Sequence, residues 1–335
     1  MSKMLAQWKL LVSAAGLQRS SQCLSVVGKR SYVFGGELRP REPRDSDIHL
    51  VDLENAVASI DTIERDPRPT PRVGSVSAVL GEHIYFFSGR GGTAMAPIDE
   101  HGALWRFTPN MASWALVRPG NASAPYPPAR SYHSATSDGK STLFLHAGCP
   151  ATGRLSDFWA FDTAAGAWIQ RASAPDPPRG GTSIAYLDGK VYRMGGFDGK
   201  QELGGQLDVY DVAADSWSSH PFEADGVAGP GPRSVAALLA LKVKGKPSLV
   251  TLFGECDPSA LGHQGAGKML GDVWLWSIED RRWSQVVTSE DGAPAARGWF
   301  AADVLRRGDT DAVVVQGGLG ETNDRLDDLW LLDFE

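Results

Sequence analysis

Six arginines, Arg19, Arg72, Arg130, Arg179, Arg233 and Arg297, recur at intervals of 49 to 64 residues. Four of them closely follow a proline, in Pro71-Arg72, Pro128-Ala129-Arg130, Pro178-Arg179 and Pro232-Arg233. A guanidinium is a planar fork of donors that fits sulfate, phosphate or carboxylate. If six copies of one unit surround an axis, these forks converge. Like charges ~4 Å apart repel by ~4 kcal/mol at a surface-like dielectric unless an acid or a bound anion lies between them. The recurrence therefore predicts an anion site. Arg19, Arg179, Arg233 and Arg297 are candidate ligand-binding groups, together with Tyr132 and His133, two and three residues after Arg130. Loop acids such as Glu37, Asp99, Glu100 and Glu321 are available to neutralise part of the charge.

A second cluster lies in one long loop, Gly254-Glu255-Cys256-Asp257-Pro258-Ser259-Ala260-Leu261-Gly262-His263-Gln264-Gly265-Ala266-Gly267. Glu255, Asp257 and His263 offer two carboxylates and an imidazole. Mixed oxygen and nitrogen donors suit a labile divalent ion such as Fe(II), Mn(II) or Zn(II). The glycines let such a loop fold back so that separated residues meet. Solvated or capping side chains are the plainer reading of the same residues. Cys149 and Cys256 stand near the same loops, and no neighbouring base marks either as a nucleophile.

These residues must be positioned by a repeated meander. In the third copy, Ser131-Tyr132-His133-Ser134-Ala135 reads as a strand, Asp138-Gly139-Lys140 as a hairpin turn and Leu143 to Gly148 as a second strand. Asp157 to Asp162 reads as the third strand and Trp168-Ile169-Gln170 as the fourth. Strand two ends in glycine in every copy: Gly35-Gly36, Gly89, Gly148, Gly195-Gly196, Gly254 and Gly317-Gly318. A tryptophan follows the end of strand three by six residues at Trp114, Trp168, Trp217 and Trp283, a spacing that predicts core between neighbouring sheets. The last copy stops after Asp328 to Asp333, whereas the chain opens with Gln7-Trp8-Lys9-Leu10-Leu11, an orphan fourth strand. Pairing the two closes a ring and removes its exposed edges. The expected fold is all-β: a six-bladed propeller occupying residues 1–335 as one domain, its last blade closed by the N-terminal strand. In such a blade, the start of strand one and the end of strand two lie at the same end, so the arginines and the post-glycine loops share one face.

The chain has 335 residues and a formal net charge of -7, which argues against nucleic acid as the main partner. Three cysteines make no disulfide framework, and no apolar run approaches the ~20 residues needed to span a bilayer. A soluble, cytoplasmic protein with no membrane partner is expected.

The doubled glycines, variable loop, acidic third strand and spaced tryptophan resemble the kelch repeat over nearly the whole chain. More narrowly, Gly254-Glu255 through Gly262-His263 to Gly265-Ala266-Gly267 resembles the metal-site loop of nitrile-specifier and thiocyanate-forming proteins. That resemblance implies Fe(II) held by Glu255 and His263. Ser259 occupies the position where the family carries Asp, and Asp257 is the substitute nearest in sequence. It further implies Arg72 and Arg130 as catalytic groups holding a departing sulfate, with lyase chemistry on a small anionic molecule. Two other readings fit the same residues: a kelch interaction module that takes an acidic peptide against Tyr132 and Trp299, and a metal-free cyclase or isomerase that shapes a reactive metabolite.

Overall fold

The computed structural model describes residues 4–61, 67–262, 265–289 and 292–335. Regular structure is almost wholly strand, because short runs of alternating apolar residues separated by turns satisfy one face of a sheet at a time. Four sheets stand apart as single blades. The first comprises Ser20–Val27, Arg30–Arg39, Ile48–Asp52 and Val57–Asp61, with Glu42–Pro43 added beside the second strand. The second comprises Val76–Leu80, His83–Phe87, Leu104–Thr108 and Ser113–Val117. The third comprises Ser134–Ser137, Thr142–His146, Phe158–Asp162 and Ala167–Arg171, and the fourth Ser183–Leu187, Lys190–Met194, Gln206–Asp211 and Ser216–Pro221.

The fifth and sixth meanders are fused into one eight-stranded sheet. Ala237–Val243, Lys246–Leu252, Val273–Ser277 and Arg282–Thr288 form one half; Ala301–Leu305, Ala312–Gln316, Asp328–Phe334 and Met4–Ser13 form the other. The N-terminal strand runs antiparallel to Asp328–Phe334, from Ala6 opposite Phe334 to Ser13 opposite Asp328. It also pairs in parallel with the fifth meander through Met4–Val286, Leu5–Val287 and Ala6–Thr288. The terminal strand thus closes the last blade and welds it to its neighbour, a join the sequence reading did not foresee. Trp8 is buried there against Phe253, with ring centroids 5.6 Å apart.

Two sets of backbone hydrogen bonds draw the six units around an axis. Two residues after each repeated arginine, the chain enters the left-handed region, at Ser21, Gly74, Tyr132, Gly181, Val235 and Trp299. The N–H of each donates to the carbonyl of the equivalent residue in the preceding unit. Gly74 donates to Ser21 at 2.9 Å; Tyr132 to Gly74, Gly181 to Tyr132 and Val235 to Gly181 at 2.8 Å; and Trp299 to Val235 at 3.2 Å. Ser21 donating to Trp299 at 2.8 Å completes the circle. The second set runs from the glycine ending strand two to the carbonyl of the next unit's arginine, as in Gly36 to Arg72 and Gly148 to Arg179, both at 2.9 Å. A Cβ on Gly148 would lie 2.6 Å from that of His133, so the close approach requires glycine.

Between sheets, the spaced tryptophans fill the core as expected. Trp114 packs on Phe34, Phe86 and Phe107 at 5.0–5.2 Å between ring centroids, and Trp168 donates its indole N–H to the Gly102 carbonyl at 2.7 Å. In the third unit, the regular first strand begins at Ser134 rather than Ser131, because the left-handed turn at Tyr132 interrupts the extended chain. No helix among the described residues is long and apolar enough to cross a membrane.

Candidate functional site

The six repeated arginines are buried, with 0 to 5% of each exposed. Burying a guanidinium requires partners for its charge and donors, and each has a matching set. One terminal nitrogen donates to a carbonyl at the end of the unit's own second strand: Gly35, Ser88, Ala147, Gly195, Phe253 and Gly317, at 2.7–3.1 Å. In five of the six, both terminal nitrogens also grip a carboxylate ahead of the third strand. The pairs are Arg19–Asp45, Arg72–Glu100, Arg130–Asp157, Arg233–Asp272 and Arg297–Asp328, with closest approaches of 2.6–3.1 Å. An indole then donates to the same acid, from Trp159 to Asp157 at 2.8 Å, Trp274 to Asp272 at 2.6 Å and Trp330 to Asp328 at 2.7 Å.

These arginines fasten the start of strand one to the ends of strands two and three. The expectation that two or more of Arg19, Arg72, Arg130, Arg179, Arg233 and Arg297 stay free for a ligand is corrected accordingly, since five are paired with acids. In those five the acid that neutralises the charge is supplied within the same blade, and the assignment of Arg72 and Arg130 to a departing sulfate loses its geometric basis.

Arg179 departs from the pattern. Its unit has Gln206-Leu207-Asp208 where the third has Asp157-Phe158-Trp159. Asp208 is taken by Arg193, whose Nε donates to it at 2.9 Å. Arg179 therefore keeps only the Pro177 and Gly195 carbonyls, and burial, reinforced by the Arg193 charge, pulls its pKa down to about 10.

The face bearing the post-glycine loops holds a different set of residues. A narrow axial opening of about 120 Å³ is lined by the left-handed positions and their successors, including Tyr132, His133, Trp299 and Phe300. Beside it lies a cavity of about 240 Å³, walled by Tyr132, Cys149, Arg154, Phe197, Ser234, Glu255, Pro258, Ser259 and Trp299. A third recess of about 110 Å³ contains Glu37, Arg41, Arg90, Met95, Tyr132 and Cys149. Tyr132 borders all three, so the structure unites Tyr132, His133 and Glu255 at one mouth.

Two arginines there have no carboxylate partner among the described residues. Arg90 follows Gly89 and donates to the Ser131 hydroxyl at 2.6 Å and to the Met95 and Pro150 carbonyls at 3.2 and 3.0 Å. Arg154 lies 5.0 Å from the Phe197 ring centroid, and its Nε is buried with no hydrogen-bond partner. Both charges bear on the Cys149 thiol, where burial nevertheless wins and raises the pKa. Sequence reasoning weighed the glycine-rich Gly89-Arg90-Gly91-Gly92 as a phosphate loop, set it aside as a plain loop, and passed over Arg154. The signal was an arginine in each of two post-glycine loops, masked by the stronger periodicity of the six buried ones.

His133 is buried, and neither ring nitrogen makes a well-formed hydrogen bond. Burial, and then the Arg130 charge, push its pKa well below the ordinary value, so the imidazole is neutral and unsuited to donating a proton as a cation.

Glu255 is 4% exposed and accepts the Gly267 N–H at 2.9 Å. Burial raises its carboxyl to about 7; the Gly267 bond opposes this, and the Glu202 charge adds to it. Glu202 is 7% exposed, is likewise pushed up by burial, and has one oxygen, Oε1, without a partner. This buried acidic pair has too few donors, and its chemistry fits a divalent cation. Asp257 does not share the enclosure. A bulge between Glu255 and Asp257 breaks the strand's alternation and leaves Asp257 exposed, so it lies outside the enclosure although its charge still bears on Glu202. His263 lies outside the described residues. One three-residue cluster of ligand type, Asp45, Asp47 and His49, is found among the described residues, but the Arg19 guanidinium occupies it, 3.0 Å from Asp45 and 2.6 Å from His49.

Closed repeats of four-stranded meanders, linked by glycines and stapled by arginines, define a kelch-type β-propeller. A family model described as the KLHDC2/KLHL20/DRC7 Kelch-repeats domain matches residues 21–244, and the chain belongs to the Kelch-repeat family. It is 27% identical over 93% of its length to "N-(sulfonatooxy)prop-2-enimidothioate sulfolyase" of Thlaspi arvense, covering 91% of that protein. It is also 28% identical over 61% of its length to the F-box/kelch-repeat protein At1g51550 of Arabidopsis thaliana, covering 42% of that protein. A weaker likeness, 27% over 49% of this chain, links it to 4% of the flagellar outer-arm dynein alpha chain of Chlamydomonas reinhardtii.

Proposed function

We propose that this protein is a sulfolyase-type enzyme acting on a small sulfated molecule at the loop-bearing mouth. The observation that carries the reading is a pair of guanidiniums, Arg90 and Arg154, that flank Cys149 with no ion pair to a carboxylate among the described residues. The near-full-length likeness to a sulfolyase supports it. Arg154 offers free donors to a sulfate, and Arg90 adds charge beside it. Tyr132, Phe197 and Trp299 supply apolar walls for the organic part of the substrate. The reaction breaks the N–O bond, whose electron pair leaves on the sulfate oxygen, while the C–S bond breaks and its pair becomes the third carbon–nitrogen bond, giving a nitrile, sulfate and zero-valent sulfur. The guanidiniums stabilise the charge that grows on the sulfate, and no protein nucleophile is required. A divalent cation, Fe(II) in the reading adopted here, would be held through Glu255 and would polarise the substrate's sulfur when bound.

The test supplies purified protein with the compound in that relative's name, N-(sulfonatooxy)prop-2-enimidothioate, and measures sulfate release above the uncatalysed rate. Release that depends on intact Arg154 is expected. Release at the background rate would overturn the enzyme reading. The acidic-peptide alternative draws on the likeness to an F-box/kelch-repeat protein, and it predicts peptide binding without sulfate release.

A further inference from the structure

The post-glycine loop of the fourth unit carries a buried carboxylate, Glu202, that no motif marked. Glu202 pairs backbone with Phe197, and the next residue is pinned on both sides: Leu203 donates to Gly196 at 2.8 Å and accepts from Arg233 at 3.2 Å. Across from it, Glu255 is fixed to Ser234 by paired backbone bonds of 2.9 and 3.0 Å. The Ser234 side chain contacts Glu202, so one serine bridges the two acids. Both carboxylates are more than nine-tenths buried. Glu255 has the Gly267 N–H, Glu202 has its own backbone N–H and the Ser234 side chain, and Glu202 Oε1 is without a hydrogen-bond partner. The nearest blade arginine, Arg233, is committed to Asp272 at 2.8 and 2.9 Å.

Two enclosed carboxylates with one oxygen orphaned are relieved by a proton or by a cation, and a cation can serve both at once. Oxygen donors from two loops, with room beside them in the 240 Å³ cavity that Glu255 lines, suit a hard divalent ion. We propose that Glu202 is the second carboxylate of a divalent-cation site centred on Glu255. It serves where Ser259 stands in place of an acid and where Asp257 points outward. The inference rests on the metal half of the reading above, but not on sulfate chemistry. It joins the fourth and fifth units, so cation binding would also lock two post-glycine loops together across the mouth.

Mn(II) titration of the full chain by calorimetry and electron paramagnetic resonance tests it, with Glu202→Gln, Glu255→Gln and Asp257→Asn variants compared. Gln preserves shape and removes charge, and a thermal melt of each variant establishes that it is folded. One Mn(II) per wild-type chain is expected, with affinity falling at least tenfold in Glu202→Gln and in Glu255→Gln and unchanged in Asp257→Asn. Wild-type affinity in folded Glu202→Gln overturns the assignment of Glu202 and leaves the proposed activity standing. No Mn(II) binding by the wild type overturns the site itself, and sulfate release measured on the same sample then decides separately whether the sulfolyase reading survives.

Discussion

The two sets of arginines around one end of this propeller are chemically identical and do opposite work. The six repeated ones sit inside the blades, five of them in bidentate pairs with acids whose side chains are 15–22% exposed. Arg90 and Arg154 sit in the loops that follow strand two, and meet carbonyls, a hydroxyl and an aromatic face instead of carboxylates. The difference is one of supply. Five of the six blades carry an acid at or just ahead of the start of the third strand, within reach of the arginine ahead of the first, whereas the loops extend past those acids. A cation with its own counter-ion stabilises the fold, and a cation without one is available to a ligand.

The comparison is broken most severely by Arg130→Ala. It strands Asp157 with a buried, uncompensated charge, and a loss of about 3–5 kcal/mol in chemical denaturation is expected. A loss under 1 kcal/mol would mean that the pair is not a staple. Next in size is Glu255→Gln in chelator-treated protein. Because the folded pKa is raised from 4.5 to about 7, the wild type keeps its full stability below pH 4.5 and loses part of it as pH climbs through 7. The variant should match the wild type at pH 4.5 and exceed it by about 3 kcal/mol at pH 8. Equal stability at both pH values would show that the carboxyl is not strained. Arg179→Met sharpens the contrast within the buried set, since no acid is left behind. Its cost should be about 1–2 kcal/mol, well below that of Arg130→Ala. The smallest effect on stability belongs to Arg154→Ala, which should stay within about 0.5 kcal/mol of the wild type while sulfate release collapses.

Much of the fold was legible because its signals are local. Glycine at the end of strand two, tryptophan six residues past strand three and the orphan strand around Trp8 each report a geometry that neighbours alone enforce. The parallel weld of Met4–Ala6 to Val286–Thr288 was not legible, since it depends on how the closing strand overhangs its own blade. The site was legible only in outline. The loop containing Glu255 was found, yet the bulge that turns Asp257 outward has no sequence mark. Glu202 is brought in by packing between two units. The arginine periodicity was real but was read for the wrong purpose. Asp157-Phe158-Trp159, Asp272-Val273-Trp274 and Asp328-Leu329-Trp330 repeat just as regularly and name the partners. Gln206-Leu207-Asp208 marks the unit that breaks the rule.

The central claim is that the loop arginines, and not the buried ring, meet the anion. Calorimetric titration of inorganic sulfate into wild type, Arg154→Ala and Arg179→Met at matched ionic strength tests it most directly. Binding lost at least tenfold in Arg154→Ala and retained in Arg179→Met is the predicted result. Retention in Arg154→Ala together with loss in Arg179→Met would contradict the account and return the anion to the buried ring.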